Sequence, residues 1–91
     1  MKKRLECNIS GRVQMVMFRD YVTRTARAHG IFGTVKNNAD GTVSIAAEAE
    51  EIKLRELINA VYRGPFLSRV DHIAEKWSDP LGGYKNFDIL Y

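Results

Sequence analysis

The chain carries one cysteine and two prolines in 91 residues. A single thiol, Cys7, excludes an internal disulfide, a four-cysteine zinc site and an iron–sulfur cluster. A free thiol suits a reducing cytoplasm. No run approaches the roughly 18 apolar residues that a membrane helix needs, so no membrane association is expected. Neither a Walker A pattern nor G-x-G-x-x-G occurs, which removes nucleotide loops of those types. His29 and His72 lack spaced partner ligands, so neither a metal nor another cofactor is expected. Met1-Lys2-Lys3-Arg4 has the charge of an export signal, but Leu5-Glu6-Cys7-Asn8 is not the apolar run that would follow, so export is not expected. No repeat, low-complexity stretch or Pro/Ser-rich linker divides the chain, and the length allows one domain over residues 1–91.

What is present reads as a small folded chain. Hydrophobic residues make up 45% and charged residues 27%, a balance outside the disordered range. The net charge of +3 favours anionic ligands slightly and does not by itself argue for nucleic acid. Leu5, Cys7 and Ile9 alternate with polar residues as in a half-buried strand. Gly11 to Met17 breaks the alternation and reads as a loop. Phe18, Val22, Ala26 and His29 follow at helical spacing, with Gly30 placed to end that helix. Gly33, Val35 and Asn37 share one face of a second strand, and Asn38-Ala39-Asp40-Gly41 makes a hairpin turn. Val43, Ile45, Ala47 and Ala49 form a third strand. Leu54, Leu57, Ile58 and Val61 mark a second helix, stopped by Gly64-Pro65. Val70 and Ile73 lie three apart, which period two forbids, so the fourth strand carries a bulge near Asp71-His72. Phe87, Ile89 and Tyr91 form a short last strand.

This order is that of an α+β, ferredoxin-like βαββαβ sandwich. Two helices would cover one face of an antiparallel sheet, with a short extra strand at the C-terminus. Phe87, Ile89 and Tyr91 could pair with another chain or close the sheet. A nucleic-acid-binding sheet of this fold would need a run of aromatic residues on its strands. Val43-Ser44-Ile45-Ala46 offers no such platform, so no nucleic-acid partner is expected.

Few residues carry chemistry. Cys7 faces the apolar side of its strand and lies one residue short of the C-x5-R spacing of cysteine phosphatases, which suits a core thiol. Glu50 and Glu51 stand at a helix start, where the dipole favours negative charge. The informative segment is Gly11 to Arg19, which links a strand end to a helix start. Such a turn can aim several backbone N–H groups at one anion. Arg19 falls in the first helical turn, where a cation is disfavoured by about 0.3–1 kcal/mol. A bound phosphate would reverse that sign, because a guanidinium can grip it with two hydrogen bonds. Alternatively Arg19 is solvated, or leans on Asp20 or another acid.

Gly11-Arg12-Val13-Gln14, then Val16, then Phe18-Arg19, resembles the signature of the acylphosphatase family. A second family block, G-x-V-x-N-x-x-D-G-x-V, is matched by Gly33, Val35, Asn37, Asp40, Gly41 and Val43. Gly64-Pro65, Val70 and Phe87-x-Ile89 resemble the family's C-terminal half. The resemblance implies the ferredoxin-like fold and metal-independent hydrolysis of the carboxyl–phosphate bond of small acyl phosphates. It implies Arg19 as the phosphate-binding arginine, the loop Gln14, Met15, Val16, Met17 and Phe18 as a phosphate cradle, and Asn37 as the holder of the attacking water. No oligomer is suggested, and a cytoplasmic monomer is expected. The carboxylate leaves with a conjugate acid of pKa roughly 4, so no general acid is needed. Positioning and charge stabilisation suffice for a loose phosphoryl transfer. A carboxamide can accept from water or donate to it, and both remain open for Asn37.

Two residues depart from the family pattern, in which glycine is usual at Met15 and common at Ala49. If the loop needs a positive φ at Met15, the side chain costs roughly 1–2 kcal/mol there. If the backbone is ordinary, Met15 adds an apolar side chain at the mouth, as Met17 does, narrowing the pocket or favouring apolar acyl groups. An alternative reading follows: a phosphate-binding relative with weak or no turnover because of Met15. Ala49 is expected to matter only for the strand-to-helix turn.

Overall fold

Leu5, Cys7 and Ile9 are buried along one face of β1 (Lys2–Arg12) while their neighbours stay accessible, so the sequence alternation maps directly onto one covered face. The computed structural model describes residues 1–91. After β1 come α1 (Phe18–Ala28), β2 (Phe32–Asn37), β3 (Val43–Glu50), α2 (Glu51–Arg63), β4 (Arg69–Ser78) and β5 (Phe87–Leu90). The sheet order is β4-β1-β3-β2-β5. Both helices lie on one face, enclosing a cluster of 19 buried residues that runs from Leu5 to Phe87. The fold is the expected βαββαβ sandwich with an extra C-terminal strand.

The sheet is mixed rather than purely antiparallel. β5 runs parallel to β2, with Gly33 beside Phe87 and Val35 beside Ile89. β4 and β5 are the two edges of the sheet, so the chain must cross its width between them, and the segment Asp79–Asn86 does so. Glu48 anchors that segment, accepting hydrogen bonds from the Leu81 and Gly82 amides and from Arg4, each within 3.0 Å. Burial pushes the Glu48 carboxyl pKa up, but these donors outweigh it and hold the group below the ordinary carboxylate range. Tyr91 lies just past β5 rather than in it.

β1 reaches further than the alternation suggests, through Gly11 and Arg12, because both pair with β4 beyond a bulge. Ser10 pairs with His72 and Gly11 with Val70, so Asp71 is the extra residue, as the Val70–Ile73 spacing predicts. Gly11 has φ 128°, and a Cβ there would lie 2.1 Å from the Arg69 carbonyl oxygen. Only glycine fits the strand at this bulge.

α1 ends one residue before His29, which caps it, and Gly30 follows at φ 68° in the left-handed position expected after a helix. His29 is half-buried, its Nδ1 2.9 Å from the Thr25 carbonyl oxygen and its Nε2 3.2 Å from Glu56. Cys7 is a core thiol, and burial pushes its pKa up to about 12, with the Glu75 charge adding to the shift. At the start of α2, Glu50 pairs with the terminal amine and Glu51 with Arg55. Ala49 lies on β3 as the alternation predicts, paired with Lys3, and the chain passes from Glu50 directly into α2.

Candidate active site

The segment Val13–Met17 leaves the end of β1 and delivers the chain to α1. Val13 is buried and fixes the exit, and Phe18 is buried and fixes the entry. Between them, Met15 has φ 58° and Met17 φ 61°, both left-handed, while Val16 is not at positive φ. Residues at positive φ flanking one that is not can turn successive N–H groups towards one side, the geometry of anion-binding concavities. The backbone N–H groups from Gln14 to Asp20 donate to no acceptor in the chain; the first amide of α1 to be satisfied is that of Tyr21, on the Met17 carbonyl. Residues from Phe18 to Asp20 also sit at the positive end of the α1 dipole.

Met17 takes the N-cap position without a side-chain cap, so the helix start keeps its donors free. Arg19 makes no ion pair. Its neighbour Asp20 is engaged by Arg24 at 3.1 Å. The Arg19 guanidinium instead lies over the Tyr91 ring, 5.1 Å from its centroid. The family-derived positive-φ condition at Met15 is thus met: the loop holds a left-handed methionine there, at a cost of roughly 1–2 kcal/mol.

Asn37 ends β2 beside Val43. Its Oδ1 is buried and has no hydrogen-bond partner. A buried acceptor left unmade costs about 1–3 kcal/mol. The adjoining hairpin is tightly built. The Asn38 amide reaches the Thr42 carbonyl at 2.8 Å, and Asp40 accepts from the Thr42 hydroxyl and amide. Those two bonds, the hydroxyl's first, hold the Asp40 carboxyl below its usual range.

A cleft of about 320 Å³ joins these parts. Met15, Met17, Phe18, Arg19 and Asn37 line it together with Ile89 and Tyr91. The structure therefore brings together five of the seven residues that the sequence singled out. Gln14 and Val16 do not line it. Val16 packs against the core. The Gln14 carboxamide donates to the Asn38 and Thr42 carbonyls, both at 2.9 Å, and so ties the loop to the hairpin that follows Asn37. Ile89 and Tyr91 were read only as strand residues. They reach the cleft because β5 returns beside β2, and continuing the parallel register brings Tyr91 level with Asn37. No local pattern encodes that return.

Comparison with known proteins bears on this arrangement. A family model described as acylphosphatase matches residues 5–89. An acylphosphatase of Salinibacter ruber is 39% identical over 88 residues, covering 97% of this chain and 93% of the relative. One from Archaeoglobus fulgidus is 41% identical over 87 residues, 96% and 97% of the two chains. The crystal structure of acylphosphatase from Bacillus subtilis superposes with a TM-score of 0.95 at 37% identity, covering 98% of this chain and 99% of that one.

Proposed function

Because this chain belongs to the acylphosphatase family, enzymes that hydrolyse acyl phosphates, we propose that the cleft between the Val13–Met17 segment and the end of β2 is its active site. The observation that carries the reading is the run of free amides from Gln14 to Asp20, five of whose residues (Met15, Met17, Phe18, Arg19 and Asp20) line one cleft with Asn37. The amides and the Arg19 guanidinium bind the phosphate oxygens. Asn37, which lines the same cleft, holds the attacking water through its carboxamide. A new P–O bond forms to the water oxygen while the P–O bond to the carboxylate breaks. The carboxylate leaves as an anion, and the water proton passes to phosphate or solvent.

Charge stabilisation by fixed dipoles does most of this work, because the donors are already in place and need no reorganisation. Neither a metal nor a cofactor is required. The substrate is a small acyl phosphate, and inorganic phosphate is the expected competing ligand. The single hydrophobic cluster supports one domain over residues 1–91. The buried, unpaired thiol supports a cytoplasmic protein. A monomer of 10.4 kDa is expected on gel filtration.

The test is benzoyl phosphate hydrolysis at mildly acidic pH in the presence of a chelator. Arg19→Ala is expected to lower kcat/KM by about 10²–10³-fold. Asn37→Ala is expected to lower kcat strongly and KM little. Folded variants as active as the parent would sink the residue assignment. A second reading, phosphate binding with weak turnover, draws on the left-handed Met15. It requires a slow parent that Met15→Gly accelerates.

A further inference from the structure

Two methionines are placed where the fold gains nothing from them. Met15 and Met17 are both left-handed, and each conformation costs an L-residue about 1–2 kcal/mol. Burial could offset that cost, but Met15 is 99% exposed and Met17 72%. Neither joins the core cluster. Strain without packing is unrewarded inside the chain, and both side chains stand at the cleft.

The cleft lining divides by chemistry. Arg19, Asp20 and Asn37 are polar; Val13, Met15, Met17, Phe18, Ile89 and Tyr91 are apolar or aromatic. With the phosphate held by the loop amides and Arg19, the acyl group must lie against the remaining lining. We infer that Met15 and Met17 form an acyl-selecting rim that favours acyl phosphates bearing an aromatic acyl group, an inference that rests on the acylphosphatase reading of the same cleft. The thioethers are unbranched and polarisable, so they fold onto a ring without a preformed pocket. Each sulfur–aromatic contact contributes about 0.3–1.5 kcal/mol, and a two-carbon acyl group collects none of it.

The experiment compares kcat/KM for benzoyl phosphate and acetyl phosphate in the parent, Met15→Gly, Met15→Asn, Met15→Leu and Met17→Gly. The benzoyl-to-acetyl ratio is the readout. Relief of backbone strain acts on both substrates alike and cancels in that ratio. Met15→Gly and Met15→Asn, which tolerate the left-handed backbone but remove the apolar arm, are expected to lower the ratio about two- to tenfold. Met17→Gly is expected to lower it by a similar factor, and Met15→Leu to keep it near the parent's. An unchanged ratio in both Met15→Gly and Met15→Asn overturns the rim while leaving the acylphosphatase reading intact. A folded parent that hydrolyses neither acyl phosphate overturns both.

Discussion

Asn37 carries a local cost in stability. Its buried Oδ1 lacks a partner, and such an acceptor costs about 1–3 kcal/mol. Removing the carboxamide removes the penalty. Asn37→Ala is therefore expected to melt no lower than the parent, and up to a few degrees higher, while hydrolysis collapses; calorimetry beside a rate assay checks both. Met15→Gly should also stabilise. It relieves about 1–2 kcal/mol of left-handed strain and adds about 0.5–1 kcal/mol of unfolded-state entropy. The net is about 1 kcal/mol, or roughly 4–8 °C in Tm. Tyr91 supports Arg19 through its ring alone. Tyr91→Leu should weaken inhibition by inorganic phosphate about two- to fivefold, from a contact of about 0.5–1 kcal/mol. That Arg19 and Asn37 belong together was legible because each sits inside a spaced motif, and both line one cleft. The role of Gln14 was not, since its partners are backbone carbonyls across the hairpin, and sequence carries no mark of which carbonyl lies nearby.

At the scale of elements, period and punctuation told most of the story. The extra residue between Val70 and Ile73 announced the bulge, and Gly30 announced the end of α1. Where a strand goes was harder to read than that it exists. Phe87 and Ile89 have the alternation of a strand, but alternation is the same for parallel and antiparallel neighbours, so the pairing of β5 with β2 was hidden. The two apolar residues that β5 brings to the cleft were hidden with it. The bulge yields a sharp test. Gly11→Ala places a methyl against the Arg69 carbonyl, and should destabilise by about 2 kcal/mol or more in urea titration, by forcing β1 and β4 apart. Thr34→Ala, on the open face and away from the bulge, should fall within about 0.5 kcal/mol of the parent.

The whole molecule should be sensitive to acid. Asp40, Glu48 and Asp71 all have carboxyl pKa values held below the ordinary range: Asp40 by Thr42, Asp71 by the Arg69 guanidinium, and Glu48 by amides and Arg4 against the opposing effect of burial. A depressed carboxyl binds its proton more readily in the unfolded chain. Its contribution is complete above the unfolded pKa, roughly 4, and is lost as pH falls through the lower folded value. The urea midpoint should therefore be level near neutrality and drop below about pH 4. Glu48→Gln should lower the midpoint at neutral pH and flatten that drop, because one of the titrating groups has gone. Equal pH profiles for parent and variant would remove Glu48 from the account. Cys7 offers another view of the same equilibrium. The thiol sits on β1, an interior strand, beneath α2, with its ionisation suppressed. An alkylating reagent can reach it only when helix and sheet part. The chain thus carries its own clock: the rate at which this one sulfur is modified, followed by mass in native buffer, counts how often the sandwich opens.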